Sequence, residues 1–386
     1  MLTGITAELN PLHKGHESII KYASSLPDSE GAIVLLSGNF TQRGSPAITD
    51  KFTRAYAAVM AGAEIVIELP FVCACSGGRE FSRGAVNILG RLGFVGGICF
   101  GMEDSNFDAG NVIDAMTNES EEYRGILRRE MKLGASYPKA ASLALEHIIP
   151  GGHDFIAKPN NMLAVSYMTA AKTQGFSLKA YPYQRTGDYS SSAIRENLSA
   201  NSHMLPEYEL EILECAKREG RLCDENRLWP LLQSVFIRSG REELRGIYGV
   251  DEGIEGLFLR HWREADGLDD FIGRCVCSRY TRAHIRRRLI YILLGLKRSE
   301  MEKALTGDVP YARLLAFTEK GREILRKYAG ASSIPIITRL KDARKHGGGY
   351  FADIERKAST LYELLMTKPD MKREGHEVLQ FPSKLY

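Results

Sequence analysis

The chain opens with Leu2-Thr3-Gly4-Ile5-Thr6, followed by Ala7-Glu8-Leu9-Asn10-Pro11-Leu12 and His13-Lys14-Gly15-His16, and this stretch decides how the rest is interpreted. The first five residues predict a buried strand, and the amphipathic pattern after Gly15 predicts a helix through Ile20. Two imidazoles therefore stand where a strand ends and a helix begins. Backbone N–H groups and the helix dipole suit that place to an anion, and ligands collect there in open α/β sheets.

Two other interpretations of the histidine pair stay open at this point. Histidines three residues apart can bind a metal, but zinc takes three or four ligands, and no cysteine or carboxylate stands nearby at a familiar metal spacing. We therefore assign no metal ligands. The pair is also compatible with a purely structural helix start.

A second segment, Tyr189-Ser190-Ser191-Ser192-Ala193-Ile194-Arg195, has a similar arrangement much later in the chain. It follows a predicted strand at 178–181 and opens a helix with hydroxyl groups at the N-cap positions. Three serines before a helix usually serve only as a cap. Paired with the histidine turn, however, they indicate a second phosphate-binding turn, in which hydroxyls, backbone N–H groups and an arginine stabilise negative charge.

Strand-like and helix-like runs alternate through the first half of the chain. The predicted strands are 2–6, 32–36, 64–69, 97–100 and 178–181, and helices between them include 49–60, 80–92 and 161–173. This alternation predicts an α/β fold with a doubly wound parallel sheet and helices on both faces. The loops after the strands are then expected to carry the chemistry.

From about residue 206 the pattern changes to long helical stretches with few strands. Residues 274–298 hold eight Lys or Arg and no acidic residue. A basic half beside an anion-binding half favours recognition of a phosphate backbone, RNA in particular, although a charged helix face is more often merely solvated.

Six basic residues of this half are predicted to contact RNA: Arg279, Arg282, Arg286, Arg313, Lys320 and Arg322. The first three are spaced i, i+3 and i+7 and are predicted to line one side of a helix.

The composition describes a chain that can bury a substantial core. It has 386 residues, 44% of them hydrophobic, which suggests two domains or one large domain with an extension. No apolar run approaches the length of a membrane span, and the N-terminus lacks the pattern of a signal peptide. The seven cysteines, an odd number, fit a reducing compartment, so we expect a cytoplasmic protein. The net charge of +3 is too small to indicate a partner.

The two turns resemble the phosphate-binding signatures of the nucleotidylyltransferase superfamily, H-x-G-H and I-S-S-T-x-I-R, which class I aminoacyl-tRNA synthetases share. Further stretches resemble the bacterial tRNA(Met) cytidine acetate ligase family across nearly the whole chain. Besides residues 4–16, these stretches are Ser37-Gly38-Asn39-Phe40-Thr41-Gln42-Arg43-Gly44, Lys158-Pro159-Asn160-Asn161, Tyr311-Ala312-Arg313-Leu314-Leu315-Ala316-Phe317, Lys320-Gly321-Arg322 and Ile334-Pro335-Ile336-Ile337-Thr338.

The resemblance implies a division of labour between two domains. Residues 1–205 are expected to form a Rossmann-like nucleotidylyltransferase domain that binds ATP and carries catalysis, and residues 206–386 a mainly helical domain that binds tRNA. ATP is expected to activate acetate as acetyl-adenylate and to release pyrophosphate. The N4 amine of the wobble cytidine of elongator tRNA(Met) then takes the acetyl group and leaves AMP. Mg2+ is expected to accompany ATP, held mainly by phosphate oxygens.

The resemblance also implies roles for single residues. ATP contacts carry over to the loop from Ala7 through His16 and to Ile20, Gly101, Asn160, Arg185, Ser190 and Ser191. The expected catalytic residues are His13, His16, Ser192 and Arg195. The expected partners are elongator tRNA(Met) and acetate, with no membrane and no obligate protein partner.

Two positions depart from the family pattern. Ser278 stands where the family has a basic residue, which removes one expected RNA contact, and Ser192 replaces a threonine but keeps the hydroxyl. The residues leave two other functions open: a small-molecule nucleotidylyltransferase that adenylylates a phosphorylated metabolite, and an RNA-binding protein without catalysis. The identity of acetate and of this tRNA rests on the resemblance alone.

Overall fold

A computed structural model describes residues 1–103, 109–135, 137–184, 187 and 189–369. Within these ranges the backbone forms a seven-stranded sheet. Its strands are β1 (Leu2–Ala7), β2 (Ala32–Ser37), β3 (Ala63–Leu69), β4 (Val95–Met102), β5 (Lys179–Gln184), β6 (Ala312–Phe317) and β7 (Ile336–Ile337).

The order of the strands shows where along the sheet a ligand site is expected. They run β5-β4-β1-β2-β3-β6-β7, and β1 pairs in parallel with both β2 and β4. The chain thus winds outward in both directions from β1, so the crevice beyond the carboxyl ends of β1 and β4 is the topological switch point. The five predicted strands are confirmed as β1 to β5.

Helices cover both faces of this sheet, and buried apolar clusters lie on each side. The helices of the first half are α1 (Lys14–Ser25), α2 (Lys51–Met60), α3 (Phe71–Ala74), α4 (Gly78–Arg91), α5 (Ala109–Asn118), α6 (Glu121–Lys132), α7 (Tyr137–Ile148), α8 (Gly152–Ala157), α9 (Pro159–Gln174) and α10 (Ser191–Glu196). The predicted helices are confirmed as α2, α4 and α9.

The second half is mainly helical, as predicted. Its helices are α11 (Glu207–Glu219), α12 (Leu228–Arg238), α13 (Arg241–Arg245), α14 (Ile254–His261), α15 (Leu268–Cys275), α16 (Arg282–Leu294), α17 (Arg298–Thr306), α18 (Glu319–Lys327) and α19 (Gly349–Leu365), with 3-10 turns at Ser202–Met204, Glu225–Arg227 and Leu340–His346. The α/β class with a mostly parallel sheet and a helical C-terminal region is confirmed.

The second half also contributes two strands, which sequence analysis did not predict. β6 pairs antiparallel with β3, and β7 pairs parallel with β6. The two halves therefore share one sheet. The division of the chain at residues 205 and 206 stays a prediction.

A buried cluster of charges lies where the halves meet. Lys51 of α2 is 2.6 Å from Glu68 of β3 and 3.7 Å from Glu355 of α19. Glu68 also pairs with Arg313 of β6 at 3.1 Å. All four side chains are at most 3% exposed. Because two cations balance two anions, the cluster carries no net charge, and each member depends on the others for its charge to be tolerated in the interior.

Replacing Arg313 with Met is expected to cost about 3–5 kcal/mol of unfolding free energy, because it leaves a buried carboxylate short of a partner. The matched control is Lys320→Met, which breaks the exposed pair with Glu64 at 3.2 Å and is expected to cost at most about 1 kcal/mol. Urea denaturation measures both. Equal, small losses would contradict a structural role for the cluster.

Candidate active site

A cavity of about 1110 Å³ opens at the switch point of the sheet. Its wall is built from the loop after β1, the loop at 41–45, the ends of β4 and β5, the start of α9 and the turn before α10. The predicted site residues in this wall are Ala7, Glu8, Leu9, Asn10, His13, Gly15, His16, Ile20, Gly101, Asn160, Ser190, Ser191, Ser192 and Arg195.

Three residues of the predicted ATP loop lie outside the wall. Leu12 is fully buried beneath the loop, and Pro11 contributes its carbonyl to a contact described below. Lys14 points away from the cavity and donates to the carbonyl of His203 at 2.7 Å. Arg185 lies outside the described residues.

The side chains of the two histidines form the N-terminal cap of helix α1, and each accepts a hydrogen bond from the backbone of the other. Nδ1 of His13 accepts from the backbone N–H of His16, and Nδ1 of His16 accepts from the backbone N–H of His13, both at 3.3 Å. The rings are stacked, with centroids 3.7 Å apart. This is a capping box in which imidazoles replace the usual hydroxyl and carboxylate.

The reciprocal cap determines where each neutral imidazole carries its proton. A ring nitrogen that accepts a hydrogen bond has no proton, so the proton of each ring is on Nε2. His13 and His16 thus present two neutral Nε2–H donors, an arrangement suited to stabilising negative charge rather than to accepting protons.

Gly15 is needed for this packing. A Cβ at that position would lie 3.1 Å from the ring of His13 and 3.2 Å from Tyr189. Both contacts are tighter than ordinary van der Waals separation, so a larger residue would push the capping ring out of place.

Polar contacts join the second predicted segment to the first. Ser191 Oγ donates to the carbonyl of Pro11 at 3.2 Å, and Arg195 donates to the carbonyl of Asn10. Arg195 also donates to Ser192 Oγ at 3.3 Å, and the ring of Tyr189 stacks on His13 with centroids 5.9 Å apart. The structure therefore brings the two segments together in one wall.

A buried arginine that sequence analysis missed holds the strand ends beneath the cavity. Arg54 of α2 is 1% exposed. Its guanidinium donates to the carbonyls of Glu8 at 2.6 Å and Ser37 at 3.1 Å, and also to that of Gly38. It thus ties the end of β1 to the end of β2. The available signal was a lone arginine beside Ala55, Ala57 and Ala58, on the buried face of a helix.

A network of amides and one carboxylate closes the far side of the cavity. The Glu103 carboxylate accepts from the Asn160 side chain and from the backbone N–H of Asn161 at 3.2 Å. Asn161 Oδ1 in turn accepts from the backbone N–H of Glu103 at 3.0 Å. Both oxygens of Glu103 are therefore engaged, and the end of β4 is held against the start of α9.

The basic helix α16 packs directly against the cavity wall. Gly44 has φ +77°, and a Cβ there would lie 2.4 Å from the backbone nitrogen of Arg287. Arg287 donates to the carbonyl of Gln42 at 2.9 Å. The loop at 41–45 therefore lines the cavity on one side and contacts α16 on the other.

The predicted arrangement of three arginines on one helix is wrong in part. Helix α16 begins at Arg282 behind its N-cap Thr281, so Arg279 precedes the helix. Each arginine has an acidic neighbour: Arg279 lies 4.0 Å from Glu252, Arg282 pairs with Asp269, and Arg286 pairs with Glu225.

The other three predicted RNA contacts lie elsewhere. Arg313 is fully buried against Glu68, so a phosphate backbone cannot reach it, and its predicted RNA contact is wrong. Lys320 and Arg322 follow β6, which is antiparallel to β3, and Lys320 pairs with Glu64 near the start of β3. They therefore lie at the edge of the sheet opposite the cavity.

Within the described part of the chain, no group of three or more His, Cys, Asp or Glu residues could hold a metal ion. No described helix is long and apolar enough to cross a membrane.

Comparison with known proteins connects this geometry to a family. A family model described as HIGH Nucleotidyl Transferase matches residues 1–377. The tRNA(Met) cytidine acetate ligase of Fervidobacterium nodosum is 32% identical over 87% of this chain and 83% of its own length. That of Bacillus subtilis is 30% identical over 98% and 97%. Thermotoga maritima TmcAL bound with alpha-thio ATP superimposes with a TM-score of 0.91 at 30% identity, over 97% of both chains.

Two substitutions of His13 separate its capping role from its Nε2–H donor. His13→Ala loses both and is expected to cost about 0.5–2 kcal/mol of stability and about 2–4 kcal/mol in the barrier to nucleotidyl transfer. His13→Asn keeps a good N-cap, so it is expected to raise the barrier to nucleotidyl transfer by the same amount without the loss of stability. Thermal unfolding and acetate-dependent exchange of pyrophosphate into ATP measure the two effects. Near-normal exchange in folded His13→Asn would show that this imidazole donates nothing to the reaction.

Proposed function

Because the chain belongs to the HIGH nucleotidyl transferase family and, within it, to the tRNA(Met) cytidine acetate ligases, we propose that it uses ATP to acetylate the wobble cytidine of elongator tRNA(Met). The donor of the acetyl group is free acetate. The product is N4-acetylcytidine, and ATP is converted to AMP and pyrophosphate.

In the first step the carboxylate of acetate attacks the α-phosphate of ATP, and pyrophosphate leaves. His13 and His16 donate from Nε2 to the α-phosphate oxygens, where negative charge builds in the transition state. Ser190 and Ser192 offer hydroxyls to the departing pyrophosphate, Ser191 offers its backbone N–H at the start of α10 while its hydroxyl stays on the carbonyl of Pro11, and Arg195 stabilises the charge. Gly101 and Asn160 bind the nucleoside from the side of β4, together with Arg185.

In the second step the exocyclic amine of cytidine attacks the carbonyl carbon of acetyl-adenylate. Acetate is a poor electrophile and this amine is a weak nucleophile, so the adenylate divides one difficult reaction into two easier ones. The wobble base lies in a single-stranded loop, where turning it out of the stack costs least. Arg279, Arg282 and Arg286, which lie just before and along the helix that contacts the cavity wall, contact the phosphates of that loop.

One observation carries the proposal: a single cavity contains His13, His16 and Arg195 next to a basic helix that contacts the same wall. A small-molecule nucleotidylyltransferase would use the cavity but would leave the basic half unexplained. The relatives align over that half as well.

We also propose that Mg2+ accompanies ATP. It is held mainly by phosphate oxygens, the usual situation for this ion, which keeps several waters and takes few protein ligands. Because ATP and tRNA are cytoplasmic molecules, the proposed reaction takes place in the cytoplasm.

The purified protein is expected to convert ATP, acetate and an elongator tRNA(Met) transcript into N4-acetylcytidine and AMP without acetyl-CoA. A transcript with uridine at the wobble position is the matched control and forms no product, because it lacks the amine. Mass spectrometry of digested tRNA detects the modification. Formation of ADP, an absolute need for acetyl-CoA, or equal labelling of the uridine transcript would each contradict the proposal.

Replacing Arg279, Arg282 and Arg286 with Gln is expected to weaken tRNA binding and to flatten its dependence on salt. Each lost phosphate contact lowers the slope of log affinity against log salt by about 0.7–0.9. Arg286 also pairs with the partly buried Glu225, so its replacement could impair folding. A double variant with Gln only at Arg279 and Arg282 therefore tests RNA binding without this effect.

The matched control is Lys320→Gln with Arg322→Gln, at the opposite edge of the sheet, where we expect a smaller effect on the slope. Binding titrations at several salt concentrations measure it. An unchanged slope in the variants at Arg279 and Arg282 would show that this face is only solvated.

A further inference from the structure

Two carboxylates, Glu8 and Glu103, line the cavity among the described residues. They differ in how their oxygens are used. Both oxygens of Glu103 accept hydrogen bonds, from the Asn160 side chain and the Asn161 backbone. Oε1 of Glu8 accepts from the backbone N–H of Gln42 at 2.7 Å. The described residues give Oε2 of Glu8 no comparable bond, so this oxygen is available to a ligand in the cavity.

The histidines of the cavity are poorly placed to accept a proton. Nδ1 of His13 and of His16 is occupied by the reciprocal backbone cap, and Nε2 of each neutral ring already carries a proton. The remaining charged side chains of the wall, Arg43 and Arg195, are permanent cations. Glu8 is therefore the group of the described wall that combines a basic oxygen with access to the cavity.

The backbone of Glu8 is held rigidly, which a catalytic group requires. Its carbonyl accepts from the buried Arg54 at 2.6 Å, and its carboxylate is fixed through Gln42. The residue stands directly after β1 and next to the loop that carries His13 and His16. It therefore lines the same cavity as the two histidines.

We propose that Glu8 is the general base of the acetyl-transfer step and that its Oε2 takes a proton from N4 of the wobble cytidine. This inference rests on the proposed function. The cytidine nitrogen forms a bond to the acetyl carbon, and the N–H bond breaks with its proton passing to Glu8. The bond from the acetyl carbon to the phosphate oxygen breaks, and AMP leaves with the electron pair. Glu8 then returns the proton to AMP or to water.

The chemistry of the amine explains why a carboxylate is sufficient. The exocyclic nitrogen of cytosine is a very weak base, and it becomes strongly acidic as it bonds to the carbonyl carbon. A carboxylate whose pKa is raised above that of an ordinary glutamate can therefore take its proton in the transition state.

The surroundings of Glu8 tune its basicity. Burial raises the pKa of Glu8 above its ordinary value, while the Gln42 hydrogen bond and the cations Arg43, Arg54 and Arg195 oppose the shift. Tyr167 of α9 also faces it; burial raises the pKa of Tyr167, which stays neutral. Because a base must be ionised, acetyl transfer is lost as pH falls through the raised pKa of Glu8. We expect that loss at a higher pH than an ordinary glutamate would give.

Two variants test the assignment. Glu8→Gln keeps the size of the side chain and an oxygen that can accept from Gln42, but it cannot take a proton. Glu8→Asp keeps a carboxylate on a shorter side chain. Acetyl transfer is measured in a single turnover after acetyl-adenylate has formed on the enzyme. Adenylate formation is measured by pyrophosphate exchange, both without tRNA and with the wobble-uridine transcript, which supports no transfer.

For Glu8→Gln we expect the rate of acetyl transfer to fall by about 10²–10⁴-fold. The rate of pyrophosphate exchange is expected to change by a factor at least ten times smaller. The decrease of the transfer rate at low pH is expected to disappear. Glu8→Asp is expected to restore part of the transfer rate and its decrease at low pH. The control Glu103→Gln is expected to impair exchange and transfer together, because it frees Asn160.

The possible outcomes distinguish failure of the role assigned to Glu8 from failure of the proposed function. Absence of acetate-dependent exchange in the wild-type protein overturns the proposed function and the step assigned to Glu8 with it. With a normal wild-type protein, transfer by Glu8→Gln within about threefold of wild type overturns the assignment alone and indicates that the leaving phosphate takes the proton. Equal losses of exchange and transfer overturn it in favour of a role in ATP binding.

Discussion

The buried charges at the junction of the two halves are the interaction on which the rest of this structure depends. Lys51, Glu68, Arg313 and Glu355 come from a helix and a strand of each half. Each charge is costly to bury alone and tolerable only with its partners. The pair Arg313–Glu68 holds β6 beside β3, and the pair Lys51–Glu355 holds α19 against α2. The catalytic sheet and the helical region are joined by an interior that neither half could form by itself.

Helix α2 carries this constraint from the junction to the cavity. Lys51 points to the buried cluster, and its backbone N–H donates to the side chain of Asn39. One turn later, Arg54 reaches the carbonyls of Glu8 and Ser37. Lys51 of α2 thus joins the two halves, and Arg54 of the same helix positions the ends of β1 and β2 beneath the cavity. The loop at 41–45 also contacts α16, so one loop joins the cavity wall to the basic helix.

Local patterns predicted the parts of the fold that depend on neighbouring residues. Alternating apolar runs predicted five strands, and the two phosphate-binding turns indicated an anion site at their carboxyl ends. β6 was not predicted because Arg313, its second residue, has the polarity of a surface residue, and Glu68, the partner that makes its burial tolerable, lies far away in the chain. Arg54 was missed for the same reason. The reciprocal cap of His13 and His16 depends on ring positions that spacing alone does not determine.

In the proposed reaction one cavity first joins acetate to the α-phosphate and then passes the acetyl group to cytidine. Acetate labelled with ¹⁸O in both carboxylate oxygens tests it most directly. Attack by the carboxylate on phosphorus leaves one acetate oxygen on the phosphate when the amine later takes the acetyl group. We predict AMP that carries one ¹⁸O and acetylcytidine that carries the other, both measured by mass spectrometry. AMP without ¹⁸O, formed together with acetylated tRNA, would contradict the account.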